Sequence, residues 1–98
     1  MKKFYIFSLK HTSDHETVVT WWRPKRCGFT YYLSAAGKYG EEEIRNYKCS
    51  FNNGKDTFSV PCEEVDKVAH LAIVNKEAQP VVANNKENKE KLKKLALK

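Results

Sequence analysis

Apolar and polar positions fall in short β-like runs over the first third of the chain and recur at helical spacing only later. Residues 2–9, KKFYIFSL, are aromatic and β-branched with no helix start signal, and they predict a strand. His11 to Glu16 is polar and turn-like. Thr17-Val18-Val19-Thr20-Trp21-Trp22 predicts a second strand, stopped at Arg23-Pro24 because proline offers no N–H to a ladder and restricts the residue before it. After Lys25-Arg26-Cys27-Gly28, the run Phe29-Thr30-Tyr31-Tyr32-Leu33 predicts a third. Short connections between the three imply an antiparallel meander.

Ser34 to Gly40 holds Gly37 and Gly40 and predicts an irregular turn. Glu41-Glu42-Glu43-Ile44-Arg45-Asn46-Tyr47-Lys48 places acids first and bases last, the order that complements a helix dipole, so a short helix is expected over 41–48. Asn52-Asn53-Gly54 reads as a turn and Thr57-Phe58-Ser59-Val60 as a short strand. Val65, Val68, Ala69 and Ala72 recur at helical spacing and predict a helix over 62–73, with Pro61 suited to its first position. Gln79-Pro80-Val81-Val82 reads as an extended linker, and Asn84 or Asn85 as the cap of a last helix. Its apolar residues Leu92, Leu95, Ala96 and Leu97 all lie in its second half, so weak anchoring is expected. The expectation is a single α+β domain over 1–98: a core 1–78, a linker 79–85 and a basic C-terminal helix 86–98. Within it, a small antiparallel sheet of three to four strands joins two or three short helices.

Ninety-eight residues leave room for one packed core, and 41% hydrophobic with 31% charged residues describes a modest core under a heavily charged surface. The net charge of +6 is unevenly placed: 7 Lys/Arg against 2 acids over residues 1–40, 5 against 8 over 41–77, and 6 against 2 over 78–98. A basic surface attracts phosphate backbones, anionic lipid or acidic protein faces without choosing among them. The plainer reading is a solvated Lys-rich exterior. Phe4-Tyr5-Ile6-Phe7 is too short for the apolar region of a signal peptide, roughly 7 to 15 residues, and no segment approaches the ~20 of a membrane span. Three cysteines close no disulfide framework. These features together predict a cytoplasmic protein with reduced thiols and no membrane partner.

Catalytic signatures are weak. His11-Thr12-Ser13 is one H-x-S, a motif that two-histidine phosphoesterases carry twice, and His70 is followed by Leu71-Ala72 rather than a second copy. Nothing in the spacing pairs Cys27, Cys49 or Cys62 with His11, His15 or His70 as a nucleophile and base. His11 and His15 sit in a Ser-Asp turn without an accompanying C-x2-C, and no glycine run matches a phosphate-cradling loop. Hence no catalytic residue, no metal ligand and no cofactor is expected, and the protein is not expected to be an enzyme.

The chemistry-bearing stretch is Trp21-Trp22-Arg23-Pro24-Lys25-Arg26, followed by Gly28-Phe29-Thr30-Tyr31-Tyr32. Consecutive residues of a strand point to opposite faces, so at most one tryptophan enters a one-sided core, and the same holds for Tyr31 and Tyr32. Trp21, Trp22, Arg23, Lys25, Arg26, Tyr31 and Tyr32 are therefore the candidate binding residues. Aromatics beside arginine stack bases while contacting phosphates, and they also make protein hot spots. The competing possibility is that helices cover both faces of the sheet and bury both indoles.

At these residues the chain resembles small hypothetical proteins of bacteriophage genomes. The resemblance is carried by Lys3 to Thr12 (KFYIFSLKHT), Trp22-Arg23-Pro24, Gly28-Phe29, Leu33 to Tyr39 (LSAAGKY) and Val60-Pro61-Cys62, spanning most of residues 3–70. The Trp21-Trp22 pair and the Lys-rich tail depart from that pattern. By context and size, the resemblance implies a non-enzymatic accessory protein that binds and inhibits a host defence protein or ribonucleoprotein complex in the bacterial cytoplasm, as anti-CRISPR proteins do. The alternative expectation is a nucleic-acid-binding accessory protein or a sponge for phosphorylated nucleotides. The basic charge argues against wholesale DNA mimicry, which needs an acidic surface.

Overall fold

The computed structural model describes residues 2–97. Met1 and Lys98, the outer ends of the expected domain, lie outside the described residues. The chain runs β1 (Lys3–Ser8), β2 (Trp21–Trp22), β3 (Phe29–Thr30), β4 (Tyr39–Gly40), α1 (Glu41–Asn46), α2 (Lys48–Phe51), β5 (Thr57–Pro61), α3 (Cys62–Val68), β6 (His70–Val74), β7 (Glu77–Val81) and α4 (Lys86–Leu95).

The apolar run Phe4-Tyr5-Ile6-Phe7 makes β1 the central strand, because side chains pointing both ways find cover. β5 runs antiparallel along one edge, from Phe4↔Pro61 to Ser8↔Thr57. Two short strands pair with β1 near its opposite ends, β2 at Phe7 and β4 at Lys3 and Phe4. β3 continues from β2 through Trp21↔Thr30 and Trp22↔Phe29, completing an antiparallel five-stranded sheet. The alternation along β1 then divides the core. Tyr5 and Phe7 join Trp21, Val60, Val65, Val82 and Leu92 in one cluster, while Phe4 and Ile6 join Tyr39, Ile44 and Phe51 in the other. Residues of α3 and α4 enter the first cluster and residues of α1 and α2 the second. The α+β class expected from sequence is the one observed, with five strands in the main sheet rather than three or four.

Three expectations are corrected. The helix expected over 62–73 ends at Val68, and His70–Val74 is a strand paired with Glu77–Val81. The two-residue connection Asn75-Lys76 holds both residues at positive φ, the backbone that tight hairpins use, and it outweighs the helical spacing of Val65, Val68, Ala69 and Ala72. Residues 79–85 are not a linker. Val81 and Val82 are buried, Val19 N–H donates to the Val82 carbonyl, and Val18 bridges Ala83. These β-branched residues fill the core beside Val19.

The last helix is well anchored. Asn85 caps it through its side chain, accepting from Asn88 N–H at 2.8 Å, and Leu92 is fully buried in the first cluster. Leu97 beyond its end donates from its N–H to the Ser59 carbonyl and accepts from Asn52 Nδ2. Leu92, Leu95 and Ala96 pack in or against the first cluster, and Leu97 packs against the second, so the four apolar residues of the second half anchor the helix end in both.

Candidate functional site

The residues that carried the chemical reading meet at the β2–β3 hairpin. Its tip, Pro24 to Cys27, closes when Cys27 N–H donates to the Pro24 carbonyl at 3.1 Å, with Arg23 N–H to the Gly28 carbonyl behind it at 2.9 Å. Lys25 and Arg26 both sit at φ 57°, a left-handed conformation that costs residues with a Cβ roughly 1–2 kcal/mol each. What holds the tip there is Tyr39 on β4. Its hydroxyl donates to the Arg23 carbonyl and accepts from Arg26 N–H, so one side chain ties both ends of the strained turn. Burial, partly offset by the Arg26 N–H bond, raises the Tyr39 pKa above its ordinary value and keeps that hydroxyl protonated. Gly37 completes the brace: its N–H donates to the Trp22 carbonyl at 2.8 Å.

Trp21 lies wholly inside the first core cluster, against Tyr5 and Phe7 at ring distances of 5.7 and 5.9 Å, and offers no surface. Trp22 is half-buried on the opposite face, edge-on to Phe51 and Phe29. Helices thus contribute to the cover of both tryptophans, which leaves Trp21 no contact surface and Trp22 a partial one. Arg23, Lys25 and Arg26 are exposed. Arg26 is already occupied, its guanidinium lying 5.4 Å from the Tyr47 ring and 5.7 Å from Phe51. Arg23 and Lys25 have no ion-pair partner among the described residues.

Beside this hairpin a cleft of about 430 Å³ is lined by His11, Thr20, Phe29, Thr30, Tyr31 and Tyr32. On β3 the usual polarity is reversed: Phe29 is 42% exposed while Thr30 is buried. His11 stacks on Phe29 with ring centroids 3.8 Å apart and 27° between planes, and its Nδ1 is 2.8 Å from the Ser8 hydroxyl. Thr12 and Thr20 fix the loop behind it. Thr12 Oγ1 donates to the Ser8 carbonyl and accepts from Thr20 N–H, and Thr20 Oγ1 donates to the His11 carbonyl. The Ser8–His11 pair is not a nucleophile–base arrangement reaching outward, because Ser8 is 1% exposed.

His11, Thr20, Phe29 and Thr30 were not among the candidate binding residues, although His11 had been singled out for its H-x-S. The signal available for them was the Gly28-Phe29 pair and the S-L-K-H-T run, two separate motif pieces that the fold brings into one cleft. Comparisons with protein-family models, with curated proteins and with solved structures find no match. The geometry therefore stands on its own.

Elsewhere the chemistry is sparse. Among the described residues no group of three His, Cys, Asp or Glu side chains could hold a metal ion, and no helix is long and apolar enough to cross a membrane. Cys27 and Cys49 are exposed and Cys62 is half-buried. Burial pushes the Cys62 thiol up to about 11, so at pH 8 little of it is the reactive thiolate. At pH 8 an aromatic disulfide reagent should modify two thiols readily and the third slowly until the protein is unfolded; three equal rates would contradict this placement. Tyr5, whose hydroxyl faces Asp66 at 3.4 Å, is raised to about 12, chiefly by burial and then by the Asp66 charge. Protonated Tyr5 and Cys62 are favoured by folding, so their contribution is complete below the unfolded-state values and is lost as pH rises toward 11–12. The urea midpoint should fall across that range, and less steeply in Tyr5→Phe.

Outside the cleft, the β6–β7 hairpin leaves Leu71 and Ile73 largely exposed, at 67% and 75%. Pro80 and Ala78 stand opposite them in register, so one face of this ribbon is apolar.

Proposed function

We propose that this protein acts by binding and not by turnover, and that its basic and aromatic β2–β3 edge engages single-stranded nucleic acid. The observation that carries this reading is the cleft lined by His11, Phe29, Tyr31 and Tyr32 on the hairpin that also presents Arg23 and Lys25. Stacking rings beside free cations is the combination that single strands select, since every base offers a π-face and every linkage a phosphate. The strained Lys25-Arg26 turn supports it further: cations occupy positions where asparagine and glycine fit better.

In the bacteriophage setting that the sequence resemblance implies, such a module serves as a stoichiometric, anti-CRISPR-like antagonist of a host defence ribonucleoprotein, covering its exposed strand. A tagged protein purified from a bacterial lysate should then bring down nucleic acid or a ribonucleoprotein that nuclease or high salt releases. A nuclease-resistant protein complex would instead favour the second reading, direct occlusion of a defence protein. That reading is supported by the uncovered Leu71 and Ile73 face, which suits a protein hot spot better than a phosphate backbone.

Arg23→Ala with Lys25→Ala tests the electrostatic part. Removing two phosphate contacts should reduce the log–log salt slope for a single-stranded oligonucleotide by about 1.4, at about 0.7 per phosphate. An unchanged slope would place the phosphate contacts elsewhere on the basic surface.

A further inference from the structure

We propose that the His11 cleft takes the planar ring of one nucleobase, so that the site reads a base as well as a backbone. The inference rests on the single-strand reading above and adds a ligand class to the cleft. Its volume of about 430 Å³ falls in the range of small-ligand clefts, roughly 300–1,000 Å³. Its lining is four rings and two threonines, with no carboxylate and no Lys or Arg, so it is a neutral stacking surface set beside cations rather than a phosphate pocket.

The rings are ordered before any ligand arrives. Phe29 sits edge-on to Trp22 at 6.2 Å, His11 stacks on Phe29, and Ser8 holds His11 Nδ1, which fixes the plane of the imidazole and leaves Nε2 as its remaining polar atom. A ring fixed by packing and by a hydrogen bond loses little rotamer freedom on binding. The polar atoms that remain suit the edge of a base. Thr30 Oγ1 accepts from Tyr32 N–H and keeps its own hydrogen for a ligand. The hydroxyls of Tyr31 and Tyr32 have no hydrogen-bond partner among the described residues. A purely apolar occupant would strand these groups, and an uncharged sugar would make no use of Arg23, Lys25 and the neighbouring Lys10, all exposed. A nucleotide satisfies both requirements.

The test compares an oligothymidylate with an abasic oligonucleotide of equal length and charge, by fluorescence anisotropy at fixed salt. The wild-type protein should bind the base-bearing strand at least about 5-fold more tightly, since stacking one base is worth about 5- to 150-fold. Tyr31→Ala and His11→Ala should bring that ratio toward one. Tyr31→Ala guards against misfolding, because Tyr31 is 39% exposed and, among the described residues, its aromatic ring contact is with Tyr32. Equal wild-type affinity for both strands would overturn the base site and leave phosphate-driven binding standing. Binding to neither strand would overturn the single-strand reading itself, and the base site with it.

Discussion

Trp21→Ala should lower stability by about 3–5 kcal/mol, the range for truncating a buried tryptophan, and lower the Tm by on the order of 20 °C. A domain of this length holds only about 5–15 kcal/mol in total, so the variant should sit close to the edge of folding. The loss is one of packing. Trp21 is fully buried against Tyr5 and Phe7, and its indole N–H makes no hydrogen bond among the described residues. Trp22→Ala should cost clearly less, because Trp22 is half-buried at the margin of the second cluster. Urea unfolding of the two variants checks the assignment, and equal losses would contradict the division of the core between the two faces.

Gly37→Ala should cost about 1–3 kcal/mol and weaken ligand binding at the same time. A Cβ at Gly37 would lie 2.8 Å from Pro24 Cα and Tyr39 Cε2 and 2.9 Å from Pro24 N, so backbone must move. The atoms it displaces belong to the hairpin tip and to the tyrosine that ties the tip. Tyr39→Phe removes the tie without the clash, and should release Lys25 and Arg26 from their left-handed turn while sparing most of the stability. Thermal melts read alongside oligonucleotide affinity separate the two effects. A Gly37→Ala protein that melts and binds as wild type would show that the brace described here is not under load.

Much of the sheet was legible in the sequence, because Phe4 to Phe7 and Thr57 to Val60 are runs that only a strand accommodates comfortably. The helix over 62–73 was misread for a physical reason. Val65, Val68, Ala69 and Ala72 satisfy helical spacing, yet Leu71 to Val74 is also a short apolar run that a strand accommodates, and the deciding feature was a two-residue turn at Asn75-Lys76 that lacks the usual glycine. The linker over 79–85 was misread because Pro80 signals extended chain whether or not it is packed, and Val82 is buried through pairing with Val19 from far upstream and the core around it.

The candidate site was half legible. Arg23, Lys25, Tyr31 and Tyr32 follow from composition and alternation: Arg23 and Lys25 lie exposed in the β2–β3 connection, and Tyr31 and Tyr32 line the cleft. Trp21 and Trp22 point to opposite faces as alternation requires, with Trp21 buried in the first cluster and Trp22 half-buried against the second. His11 and Phe29 stand 18 positions apart, and their stacking depends on the β1–β2 and β2–β3 pairings, which no local pattern reports.

The most direct test of the account is the affinity of the purified protein for a labelled single-stranded oligonucleotide, measured by anisotropy from about 50 to 500 mM salt. Saturable binding is expected, with a log–log slope against salt between about −1.4 and −2.1, the value for two or three neutralised phosphates on a single strand. Absence of binding at the lowest salt, or binding indifferent to salt, would contradict it.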